Sequence, residues 1–353
     1  MAMVNVEMVV VFLLVCVSAV GAGRNPMFSV LDVGGGGRGG DGDVDHPMMS
    51  ILEEGGESGV EEDSAPVRAV FDLHYHSGPL LSGPAGLDVY VIWYGSFSSE
   101  QRSTILDFFA SFQESADLAP SVSSWWKTTA AYKDFANTGV APSVKLAGEM
   151  SNTGYSLGRK LTRWEIEFLV LDSLNSFAAD SKSVYLVLTA DDVLVDGFCR
   201  SSCASHSFVA ASAITRGHQL PYAWVGNAAT QCPGKCAWPF ALPLYGPKGF
   251  EPLVAPNGDV GADGMIINIA NMLAGTATDP YINAWYQGDA RAPLEAGTAC
   301  AGIYGEGAYP GFPGELLKEH VSGASYNVGG VNKRKFLLPA LWDPVTRTCA
   351  PPS

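Results

Sequence analysis

Val89-Tyr90-Val91-Ile92-Trp93-Tyr94 is a continuous run of β-branched and aromatic residues, closed by Gly95. An uncharged run of this kind suits a strand buried on both faces, as in a sheet with helices above and below. Working outward, Ser98-x-x-Gln101 is a capping box, and Ile105, Leu106, Phe108, Phe109 and Phe112 form the apolar face of the helix it opens. Residues 122–133 read as helical around Trp125-Trp126, and Val144 to Leu146 as a short strand. Thr162-x-x-Glu165 caps a long helix with Leu161, Trp164, Phe168, Leu171 and Leu174 on one face. Val184 to Thr189 is a second buried strand, and residues 264–278 form an apolar helix stopped by Pro280. Beyond it the chain is rich in Gly and Pro, with a hairpin expected around Gly329-Gly330. Strands alternating with helices predict a mixed α/β (α+β) fold, a single domain whose sheet is covered by helices.

Upstream of that domain the composition changes. Residues 1–22 read as a signal peptide. Met8 to Val20 is apolar but too short to span a bilayer, and the small residues Val20-Gly21-Ala22 suit cleavage after Ala22. The segment departs from the usual pattern in having Glu7 and no basic residue before the apolar run. Residues 23–66 form an acidic, Gly-rich leader: ten acids stand against Arg24 and Arg38, and Gly34-Gly35-Gly36-Gly37-Arg38-Gly39-Gly40 interrupts it. Too little apolar surface is available there to offset the entropy of ordering, so disorder is expected. The folded domain runs from 67 to 353. The whole chain carries a formal charge of -15 and no basic stripe, which argues against nucleic acid as a partner. After signal cleavage nothing is apolar enough to hold the chain in a membrane.

Cysteine usage agrees with export. Cys16 leaves with the signal, and Cys199, Cys203, Cys232, Cys236, Cys300 and Cys349 remain as disulfide candidates. Their pairing is open. Metal binding by the two C-x3-C pairs is the alternative, with no paired histidines to complete it. Export brings no N-glycosylation here, because the chain contains no N-x-S/T sequon.

Several short patterns bear on chemistry. Gly154-Tyr155-Ser156-Leu157-Gly158 matches the G-x-S-x-G elbow of α/β-hydrolases, but a polar stretch precedes it and the next helix begins only at Thr162, so a turn is the better expectation. His74-Tyr75-His76 puts two imidazoles on one strand face, more simply an exposed edge than a metal pair. His206, His218 and His320 form no H-E-x-x-H. Asn257-Gly258-Asp259-Val260-Gly261-Ala262-Asp263-Gly264 resembles half a calcium loop but has Asn268 where a bidentate Glu belongs, and reads better as a helix-capping turn. Asp191-Asp192 reads as loop chemistry. Of the tryptophans, most are expected in the core, and an exposed set would suit sugar stacking.

Several longer motifs occur in order: Gly78-Pro79-Leu80-Leu81-Ser82-Gly83, Trp125-Trp126-Lys127-Thr128-Thr129, Leu220-Pro221-Tyr222-Ala223-Trp224-Val225-Gly226-Asn227, Cys232-Pro233-Gly234-Lys235-Cys236 and Pro256-Asn257-Gly258-Asp259-Val260-Gly261. Through them the chain resembles the plant EXORDIUM / phosphate-induced protein family, in its EXORDIUM-like branch, over roughly residues 70–349. The resemblance implies a secreted protein of the extracellular space and apoplast, linked to growth, cell expansion and brassinosteroid or carbon-status responses. It also implies a zincin-like layout, since many members carry a His-Glu-Ile-Ala-Glu-like stretch in the helix after Asn-Gly-Asp-Val-Gly. Here Asn271 stands at the His position, Met272 at the general-base Glu and Gly275 at the second Glu. Asn is a poor zinc ligand, Met moves no proton at neutral pH and Gly has no side chain. Glu295 matches a family carboxylate and is expected to be structural. A non-catalytic regulator or binding protein with no cofactor is therefore favoured, its partner an unknown extracellular protein or a cell-wall component. The alternatives are an extracellular hydrolase, built on Ser156 or a degenerate metallohydrolase site, and a cell-wall polysaccharide binder.

Overall fold

The computed structural model describes residues 72–114, 120–243, 249, 251–289 and 292–352, so the expected signal peptide and acidic leader lie outside the described residues. Val89 to Tyr94 lie in strand β1, Leu87–Tyr94. It pairs in parallel with β2, Val144–Asn152, on one side and with β3, Val184–Thr189, on the other. β3 in turn pairs in parallel with β5, Leu220–Gly226, and β4, Ala204–Val209, closes that edge antiparallel to β5. The order is β2-β1-β3-β5-β4. Every residue of β3 and β5 is buried, as expected where helices cover both faces.

Alternation along β1 divides the core. Val89, Val91 and Trp93 meet Ile105, Phe108 and Phe109 of helix α1, Ser99–Ser111, and Met265, Ile266 and Ile269 of a helix late in the chain. Ile92 and Tyr94 face the other way, toward Ile166, Leu169 and Val170 of helix α2, Arg163–Ser173. The late helix is α3, Val260–Thr278. Both capping boxes form: Ser98 with Gln101 on α1, and Thr162 with Glu165 on α2. Asp259 caps α3 by accepting from Ala262 N, four residues earlier than the expected start.

Three expectations need correction. β2 does not stop at Leu146. It continues through Glu149 to Asn152, with alternate residues solvated because it is an edge strand. Residues 122–133 hold only a short α-helix, Val122–Trp126, and a 3-10 turn, Lys127–Ala131. Only part of the apolar face assigned to α2 turns inward: Leu161 is buried and Leu171 and Leu174 half-buried, but Trp164 is 78% and Phe168 53% exposed, and the buried face of the helix is Ile166, Leu169, Val170 and Ser173. Periodicity cannot choose between two apolar stripes on one helix. Arg163 sets the rotation, with its guanidinium over Trp224 and donating to Ser202 and Ser205 at 2.5 Å each. Trp164→Ala is therefore expected to change stability by less than about 0.5 kcal/mol in urea unfolding; a loss of several kcal/mol would restore the core assignment.

All six disulfide candidates pair. Cys199–Cys232 and Cys203–Cys236 join the two C-x3-C motifs to each other in order, which removes them as metal ligands, and Cys300–Cys349 staples the C-terminal part. The expected hairpin at Gly329-Gly330 forms, Val328–Gly329 pairing with Lys335–Phe336. Among the described residues no helix is long and apolar enough to cross a membrane.

Candidate functional site

Asn271, Gly275 and Asp279 recur every four residues, so they fall along one face of α3 and its C-cap. Two distant pieces of chain close on that face. Edge strand β4 contributes His206, and a tight turn at 295–299 contributes Glu295. The turn is held by Glu295 O accepting from Thr298 N and Ala299 N, at 3.1 and 2.9 Å, and by Glu295 N donating to Thr298 Oγ1 at 2.8 Å. It lies against the helix backbone: a side chain at Gly297 would come within 2.6 Å of Asn271 O.

At the centre, His206 Nε2 sits 2.9 and 2.8 Å from the two carboxylate oxygens of Glu295, with both side chains almost wholly buried. Burial alone would favour neutral imidazole. The charge of Glu295 and its hydrogen bond outweigh it, with a smaller contribution from Asp279, and hold the His206 pKa above the ordinary value. The pair occupies the space a side chain on Gly275 would need: a Cβ there would lie 3.2 Å from both Glu295 Oε2 and His206 Nε2. Asp279 closes the end of the helix. Its Oδ1 accepts from Asn283 N at 2.6 Å and Ala284 N at 2.7 Å. Burial pushes its carboxyl up to about 6; the backbone donors oppose this, and Glu295 adds to it. His206 Nδ1, Asn271 Oδ1 and Asp279 Oδ2 are buried without a hydrogen-bond partner.

This arrangement stores charge and a proton but does not fit a zinc ion held by α3. The imidazole nitrogen facing the helix is taken by Glu295, Asn271 and Gly275 offer no good donor, and Met272 is buried in the core. Among the described residues no group of three His, Cys, Asp or Glu side chains is placed to hold a metal.

The other candidates are scattered. Ser156 follows β2 in a turn rather than entering a helix. Its Oγ accepts from Asn152 Nδ2 at 2.6 Å, and no histidine is among its hydrogen-bond partners. His74 and His76 are exposed beside a two-residue ladder with Trp285–Tyr286, His76 stacking on Tyr286. His218 and His320 are exposed. The oxygens of the 257–264 loop are spent internally: Asp263 accepts from Asn257 N and Nδ2 at 2.9 and 2.6 Å, and Asp259 from Ala262 N and Gln101 Nε2. Asp192 pairs with Arg159 and accepts from Tyr155 OH. Trp93, Trp125, Trp126, Trp224 and Trp342 are buried, Trp238 and Trp285 half-buried, and Trp164 exposed, so there is no exposed plane of tryptophans. Sequence reading named His206 and Glu295 singly and missed both their pairing and Asp279. Apart from Asp279 ending α3, no local pattern marks them.

Residues 73–352 match the family described as Phosphate-induced protein 1 conserved region. Protein PHOSPHATE-INDUCED 1 of Nicotiana tabacum is 49% identical over 282 residues, covering 79% of this chain and 87% of the relative. Protein EXORDIUM-like 1 of Arabidopsis thaliana is 48% identical over 284 residues, covering 79% and 89%. Protein EXORDIUM of the same plant is 47% identical over 286 residues, covering 79% and 88%. No solved structure matches.

Proposed function

Because the chain belongs to the phosphate-induced protein 1 family, alongside EXORDIUM and the EXORDIUM-like proteins, we propose that it is a secreted, non-catalytic regulator or binding protein of the plant apoplast. Its role is in growth and cell expansion, with brassinosteroid or carbon-status responses upstream. One observation carries the non-catalytic part: the place on α3 where the second Glu of the relatives' motif would stand is Gly275, and a buried His206–Glu295 pair fills the space beside it. Three disulfides support an oxidising compartment.

The test uses the full chain expressed in a plant. It should be recovered in apoplastic wash fluid, carrying well under one zinc per chain by elemental analysis. Retention inside the cell, or one tightly held zinc per chain, would overturn the reading.

A further inference from the structure

In open sheets of parallel strands, ligands sit outside the carboxyl ends, where loops from neighbouring strands diverge. Here the loops following β2 and β3 meet at that edge. Lys160–Leu161 pairs in parallel with Leu194–Val195, and beside them lies a groove of about 570 Å³. Leu161, Leu194 and Phe198 give it apolar walls, and Lys160, Asp196 and Arg200 are its charged residues.

Several cations of the domain are neutralised in ion pairs. Arg102 pairs with Glu149, Arg159 with Asp192, Arg334 with Asp107 and Lys145 with Asp88. Lys160 and Arg200 are exposed, and among the described residues neither has an ionic partner within reach. The Lys235 ammonium donates to Arg200 O and adds a third positive charge at the same end. Lys160, Arg200 and Lys235 outnumber Asp196 there, so on a chain of net charge -15 this end of the sheet carries a small positive excess whose complement is an anion.

Exposed aromatic side chains follow it in the chain. Trp164 opens α2 two residues after Thr162, a groove residue, and Phe168 follows one turn later, both well exposed. Flat exposed rings beside unpaired cations suit a ligand with both apolar ring faces and carboxylates.

We propose that this carboxyl-edge groove binds an acidic saccharide, a uronate oligomer whose carboxylates meet Lys160 and Arg200 and whose sugar rings stack on Trp164. The proposal rests on the reading of the chain as a binding protein and names its ligand class.

The full chain is titrated with oligogalacturonate at low ionic strength, following tryptophan emission, with cellohexaose and poly-L-glutamate as comparisons. Oligogalacturonate alone should shift the emission, and added salt should weaken binding. Lys160→Glu together with Arg200→Glu should weaken it about tenfold or more, and Trp164→Ala should remove the emission change and weaken binding severalfold. These positions are exposed, and near-UV circular dichroism checks that each variant is folded. Absence of binding, equal binding by the charge variant, or equal affinity for cellohexaose would overturn the proposal. So would tighter binding of poly-L-glutamate, which would mark the groove as a site for acidic peptide. Cleavage of the oligogalacturonate during the titration would instead overturn the non-catalytic reading, and so separates the two.

Discussion

Replacing Glu295 by alanine is expected to cost about 3–5 kcal/mol of folding stability, read as a lowered urea midpoint with the slope unchanged. The magnitude follows from what is left behind. His206 sits on edge strand β4, yet its ring is buried under α3 and the 295–299 turn, and among the described residues its side-chain partner is Glu295. Without the carboxylate, the imidazolium has no compensating charge within hydrogen-bond reach and must give up its proton to stay buried. Asp279 makes no hydrogen bond to His206, and its Oδ1 is anchored by Asn283 N and Ala284 N. Replacing His206 by leucine as well should recover part of the loss, since a buried pair removed together leaves no orphan charge. Gly275→Glu should be as harmful as Glu295→Ala, because it drives a second carboxylate into the pair. A loss below about 1 kcal/mol for Glu295→Ala would mean that the pair is solvated in solution.

How much of this could be read from the sequence depended on the range of the interaction. Ser98 with Gln101 and Thr162 with Glu165 are contacts three residues apart, and both capping boxes formed where the sequence placed them. β1 was legible because a strand covered on both faces needs no alternation. β2 was read too short because Lys145, Glu149 and Ser151 lie on its solvated face and look like loop residues. The rotation of α2 was misread because Trp164 and Phe168 obey the same period as the buried stripe, and Arg163, which breaks the tie, acts through Ser202, Ser205 and Trp224, distant in sequence. His206 and Glu295 are 89 residues apart and join an edge strand to a turn in irregular chain. Only the fold brings them together. The six cysteines declared themselves as a set, while the pairing of one C-x3-C motif with the other depends on how the 199–203 turn meets the short helix Pro233–Cys236.

The domain should be more stable in mild acid than at neutral pH, by about 2–3 kcal/mol between about pH 7.5 and about pH 5.5. The sign comes from three buried groups. Asp263 lies under α3, and burial pushes its carboxyl up to about 7; Asn257 and Arg334 oppose this, and Asp259 adds to it. Burial likewise lifts Asp279 to about 6, beside Glu295 and His206. The Glu295 charge holds His206 above the ordinary imidazole value despite burial. Each group binds its proton more tightly folded than unfolded, so the folded state carries more protons and stability falls as pH rises. The carboxyl contributions are complete below about pH 4, the unfolded value, and are lost as pH climbs through about 6 for Asp279 and about 7 for Asp263. The His206 contribution is complete below about 6.5 and is lost above that, in the same direction. Glu100 and Glu319, whose carboxyls are held below the usual value by hydrogen bonds, act the opposite way but only in stronger acid. Urea midpoints across this range should therefore rise toward pH 5.5. Asp263→Asn should flatten that rise by more than half, because it removes the carboxyl that burial lifts furthest of the two. Equal midpoints at the two ends, or a higher one at pH 7.5, would show that these carboxyls are ionised at their ordinary values and reached by water. A domain built this way should be at its most stable in mildly acidic surroundings.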